Sequence, residues 1–145
     1  MSIFCMWMGP RNGHAGSGGL LLDQTGKIVL NFAWGLGQKT NNIAEILAIW
    51  KGLNQARSLS IKKLIIIGDS HINIQALKMK KVPNSMDLAH YHRKVTTQLK
   101  DFEDVQFYHV LRNLNRNADH EANIGASLSK GVLLVNGIEN YLPIP

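Results

Sequence analysis

Hydrophobic and polar positions along the chain change period several times. In segment 27–36, Ile28, Leu30 and Phe32 alternate with other residues, which predicts a strand. Residues 1–8 and 20–23 read as two further strands, with Gln24, Thr25 and Gly26 as the turn before the third. The glycine-rich stretch GPRNGHAGSGG between the first two reads as a turn region. Short connections between these three strands predict an antiparallel meander. From Asn42 to Arg57 the apolar residues recur at helical spacing. Residues 62–67 form an unbroken apolar run after two lysines, as expected of a central strand buried on both faces. Segments 71–80 and 85–100 carry helical patterns separated by Pro83, with Asn84 placed to cap the second. Val105 to Val110 is a strand with Val105, Phe107 and His109 on one face, and 115–129 a last helix. The predicted order is βββ-α-β-α-β-α, an α/β fold with a five-stranded mixed sheet flanked by helices. It predicts one domain over 1–129. The tail, 130–145, carries no assignment.

Three carboxylates break this pattern. Stepping by three and four from Glu45 gives Ala48, Ile49, Gly52, Leu53 and Ala56, so Glu45 lies on an apolar stripe. A carboxylate there is costly without a partner. Either an Asn or Arg meets it, or it serves a site near the helix start. Asp69 closes the greasy strand in IIIGDS. Carboxyl ends of strands are where open α/β sheets bind ligands, while Asp69 or Ser70 can also cap the next helix. Asp119 shares a face with Ala122 and Ala126, whose small side chains imply close approach of helix and sheet. Alone it reads as a first-turn acid favoured by the helix dipole. Together, three converging carboxylates would repel one another unless a hard divalent cation, magnesium or manganese, joined them. Two such ions about 4 Å apart are a common device for phosphodiester hydrolysis.

Composition narrows the partner. The chain of 145 residues carries 16 Lys and Arg against 10 Asp and Glu, a net charge of +6, which favours an anionic partner such as nucleic acid. A single cysteine excludes an internal disulfide and a cysteine-based zinc site. No apolar run reaches the ~20 residues of a membrane span, and residues 1–8 lack the basic start of a signal peptide. These features predict an intracellular, monomeric domain with no membrane role. Lys78 to Lys81, with Lys62, Lys63, Arg93 and Lys94, can widen a basic patch for a duplex backbone. His90 and His92 do not have zinc-site spacing, and Trp34 and Trp50 read as core.

The segments TNNIAEILAIWKGLNQA, LIIIGDS and HVLRNLNRNADHEAN resemble a type 1 ribonuclease H domain. They are most similar to the plant retroelement-derived, reverse-transcriptase-like branch. The shared motifs are Asn-Asn-x-x-Glu, a strand ending Gly-Asp-Ser, and Arg-x-x-Asn-x-x-Ala-Asp, and the resemblance spans residues 15–128. It implies a ribonuclease H fold and metal-dependent cleavage of the RNA strand of an RNA–DNA hybrid. It implies that Glu45, Asp69 and Asp119 are three of four metal-binding carboxylates. Asn41 and Asn42 would contact the nucleic acid, including ribose 2′-hydroxyls, with Ser70, Arg112 and Asn115 beside them. Thr40 or Asn41, and Asn115, are equally good helix caps.

One departure stands out. The family's first acid lies on strand one, and counting back from Ala15–Gly19 without gaps puts Cys5 there. No Asp or Glu precedes Asp23. A thiol is a poor magnesium ligand. The sequence therefore supports two expectations: a ribonuclease H with a crippled site, or a nucleic-acid-binding or interaction module that no longer cleaves.

Overall fold

The structure is a computed structural model. It describes the backbone of residues 2–11, 14–110 and 116–145, and the side chains of 14–110, 120–121 and 123–145. The elements in chain order are β1 (Ser2–Arg11), β2 (His14–Leu22), β3 (Ile28–Gly37), α1 (Asn41–Ser58), β4 (Lys63–Gly68), α2 (His71–Met79), α3 (Met86–Leu99), β5 (Asp104–His109), α4 (Arg116–Ser127), β6 (Val132–Val135) and β7 (Ile138–Tyr141). They build one mixed sheet of order β5-β4-β1-β2-β3-β6-β7. The meander β1–β2–β3 is antiparallel, and β4 and β5 add in parallel on the β1 side. The five expected strands are present in the expected order.

Two expectations need correction. The glycine-rich stretch is not only a turn, because β2 begins at His14. Every residue from Ala15 to Leu21 is buried, so both faces of β2 are covered. Helices α1 and α4 both pack on β1 and β2, one on each face. Gly125 of α4 allows this closeness. Within α4, a Cβ on Gly125 would sit 2.8 Å from the backbone oxygens of Ser17 and Trp34. The β4 strand, in turn, buries only one face fully. Leu64, Ile66 and Gly68 are buried, whereas Ile65 and Ile67 are partly open.

The tail also folds. β6 pairs with β3, and β7 pairs with β6, extending the sheet to seven strands. Their hairpin turns on Asn136 and Gly137, both at positive φ (51° and 80°), the Asn-Gly signature of a tight hairpin. Trp34 Nε1 donates to the Leu142 carbonyl at 3.0 Å, and Leu142 and Ile144 pack on the core.

Helix starts follow simple capping chemistry. The Thr40 hydroxyl caps α1 and Ser70 caps α2. For α3 the cap is Ser85, not Asn84. Trp34 is fully buried in the core, as expected, and stacks on the partly buried Trp50, which packs against the core, with ring centroids 5.9 Å apart.

Candidate metal and nucleic-acid site

Glu45 is fully buried on the α1 stripe. The partner is not an arginine. Its Oε2 accepts from the backbone N–H groups of Asp69 (3.0 Å) and Ser70 (2.8 Å), at the junction of β4 and α2. Its Oε1 lies 3.4 Å from Asn73 Nδ2. Gly68 makes room for this carboxylate, since a Cβ there would meet its atoms at 3.1–3.2 Å. The Gly-Asp-Ser sequence thus has a local reason. Glycine admits the Glu45 carboxylate, and the next two amides bind it.

Burial first, and then the nearby Asp69 carboxyl, push the Glu45 carboxyl up to about 8 against the opposing pull of the Ser70 and Asp69 amides. Asp69 Oδ1 is buried and has no hydrogen-bond partner among the described residues. Two crowded carboxyls with an unpartnered buried oxygen fit a hard, oxygen-seeking cation. Among the described residues, no group of three or more His, Cys, Asp or Glu side chains could hold a metal ion. The described set is therefore a pair. Asp119 falls on α4, which packs on β1, β2 and β3, and its side chain lies outside the described residues.

The Ser70 hydroxyl accepts from Asn73 N (3.3 Å) and donates to Asn42 Oδ1 (2.9 Å). Capping and site geometry are thus one arrangement, as the dual reading of Ser70 allowed. Asn42 is partly exposed and Asn41 exposed at the start of α1. An open cleft of about 550 Å³ adjoins them, with Lys39, Thr40, His90 and Tyr91 among its walls. Arg112 and Asn115 lie outside the described residues. At the end of β5, His109 Nε2 donates to the Asp69 carbonyl at 3.0 Å, and its ring meets His71 edge-on at 5.3 Å.

Cys5 is placed by its backbone. It pairs with Leu20 on β2 and with Ile67 on β4, two residues before Asp69. Strand one therefore brings residue 5 beside the strand that ends in the candidate site. The expected basic residues lie away from Asp69. Lys62 and Lys63 sit at the opposite end of β4 from Asp69, roughly 20 Å away for a six-residue strand. The Lys78 ammonium lies 5.6 Å above the Tyr108 ring.

Of two buried residues near the site, Asn73 carries no expectation from the sequence, and His92 is considered there only as a zinc ligand and set aside. Both occupy apolar stripes: Asn73 is four before Leu77, and His92 is four after Leu88 and three before Val95. That is the same signal that singles out Glu45.

A helix-flanked sheet with paired carboxylates at the end of β4 defines a ribonuclease H-like domain, and comparison with known proteins agrees. Residues 8–125 match the family model described as reverse transcriptase-like, and the chain belongs to that family. The match begins after Cys5. Among solved structures, RNase H1 from the halophilic archaeon Halobacterium salinarum is 27% identical with a TM-score of 0.80, covering 86% of this chain and 96% of that one. The N-terminal RNase H domain of rv2228c from Mycobacterium tuberculosis is 22% identical with a TM-score of 0.81, covering 86% and 92%. LC11-RNase H1, solved in complex with an RNA/DNA hybrid, is 20% identical with a TM-score of 0.81, covering 87% and 96%. Among curated proteins none matches. No helix among the described residues is long and apolar enough to cross a membrane.

Proposed function

We propose that this domain binds RNA–DNA hybrid, with Glu45, Asp69 and Asp119 holding magnesium or manganese at the carboxyl end of β4. One observation carries the reading: the buried Glu45 carboxylate beside an Asp69 oxygen that has no hydrogen-bond partner among the described residues. A similar fold, LC11-RNase H1, has been solved with an RNA/DNA hybrid, which supports the choice of ligand. When bound, such ions supply an activated water and neutralise charge on the leaving oxygen.

The chain's own groups do the rest. Asp69 and Ser70 amides fix Glu45. The Asn42 amide oxygen is taken by Ser70, leaving its nitrogen to donate to a ribose 2′-hydroxyl, the group that separates RNA from DNA. Cys5 stands where the family carries an acid, so hydrolysis of the RNA strand is weak while binding persists.

Binding is tested by fluorescence anisotropy with labelled hybrid and with duplex DNA of the same sequence. The reading predicts tighter binding of the hybrid and loss of that preference in Asn42→Ala. Equal affinity for both duplexes contradicts it.

A further inference from the structure

The site is held from behind by a buried polar strut that crosses three helices. Asn73 on α2 and His92 on α3 are 0% and 2% exposed. Asn73 Nδ2 donates to the Asn42 carbonyl at 2.8 Å and reaches toward Glu45 Oε1 at 3.4 Å. Its Oδ1 faces His92 Nε2 at 2.8 Å. The amide nitrogen is thus committed to acceptors, which makes Oδ1 the acceptor on the other side. His92 must then carry its proton on Nε2, and that bond sets which way the Asn73 amide points.

Without the imidazole N–H, the buried Asn73 Oδ1 loses its donor, and only the acceptors of α1 still set which way the amide points. A reversed amide would place its oxygen against the Asn42 carbonyl and the Glu45 carboxylate, acceptor against acceptor. Burial keeps His92 neutral, with its pKa lowered to about 4, so the strut persists across ordinary pH.

We infer that Asn73 and His92 are positioning residues for the site: His92 orients the Asn73 amide, and Asn73 holds both Glu45 and the Asn42 turn in register. The inference rests on the reading of Glu45 as a metal ligand, but it also makes a claim about the metal-free protein. Two interactions of the strut meet α1, at the residue read as a ribose contact and at the residue read as a metal ligand. Binding of metal and of nucleic acid then depend on the same amide.

The test uses the full chain and three variants: Asn73→Leu, His92→Phe, and His92→Gln, whose amide nitrogen can replace the imidazole donor. Two quantities are read. The first is hydrogen-exchange protection of the Asp69 and Ser70 amides without metal, compared with amides in β2. The second is Mn²⁺ affinity by calorimetry. Protection at Asp69 and Ser70 should fall about tenfold in Asn73→Leu and His92→Phe, with β2 unchanged, and return in His92→Gln. Mn²⁺ affinity should fall roughly 10–100-fold in the first two variants and recover in the third, the usual effect of losing an outer-shell partner. Uniform loss of protection across β2 and the site would mean a merely structural pair and would overturn the inference. So would unchanged protection at Asp69 and Ser70. If the parent chain binds no Mn²⁺ yet selective loss of protection is seen, the positioning role stands and the metal reading fails.

Discussion

The Ser70 backbone N–H donates to the Glu45 carboxylate at 2.8 Å, joining the stripe of α1 to the first residue after the Gly-Asp pair of β4. This bond explains why a fully buried acid is tolerated there. It also makes the acid sensitive to anything that changes its charge.

Stability without metal should depend on pH from two sides. The Glu45 carboxyl rises from 4.5 to about 8 on folding. Its contribution is fully present below 4.5 and is lost as pH rises through about 8. His92 falls from 6.5 to about 4, so the unfolded chain takes up its proton first and stability is lost as pH drops from 6.5 toward 4. Between 4.5 and 6.5 the two oppose each other, and above 6.5 only Glu45 acts. Urea midpoints in EDTA should therefore decline from pH 6.5 to 8. Glu45→Gln should flatten that decline, and His92→Phe should flatten the acid side. A decline that Glu45→Gln leaves intact would refute the assignment.

Magnesium should stabilise the fold, and more so at pH 8 than at pH 6, because the cation competes with the proton on Glu45. At a hundredfold excess over Kd the gain is about 2.7 kcal/mol, or roughly 8 °C in Tm for a domain of this size. Equal Tm with EDTA and with saturating magnesium at pH 8 would count against an assembled site.

Ser70→Ala removes the α2 cap and the donor to Asn42 together. A loss of about 1 kcal/mol is expected in urea unfolding. Hybrid affinity should fall as well, since Asn42 loses the bond that orients its amide. Unchanged hybrid affinity would separate the cap from the site.

Gly125→Val tests the packing of α4. Its side chain would collide with the backbone oxygens of Ser17 and Trp34, 2.8 Å from the Cβ position. Rigid backbone cannot give way cheaply, and a loss of roughly 1–3 kcal/mol follows. Denaturation reads it directly.

Much of this was legible before the fold. Element order came from periodicity, and Glu45 declared itself as an acid on an apolar stripe. Asp69 followed from its place at a strand end. The extent of β2 was hidden because its glycines read as a turn, although the strand they belong to is buried on both faces. The β6–β7 hairpin had its Asn136–Gly137 signal, but four-residue strands in a Pro-ending tail carry little periodicity. Asn73 and His92 sit 19 residues apart on different helices, and only tertiary packing makes them partners. Their placement on apolar stripes was visible, whereas their meeting was not.

The central claim is a nucleic-acid site at the end of β4 that lacks one acid on β1. Its most direct test is cleavage of labelled RNA–DNA hybrid with magnesium or manganese. Three chains are compared: the parent, Cys5→Asp, and Cys5→Asp combined with Asp69→Asn. The account predicts cleavage near background by the parent, a gain of roughly 100-fold in Cys5→Asp, and its loss in the double variant. A folded Cys5→Asp chain that binds hybrid yet cleaves no faster than the parent would contradict it.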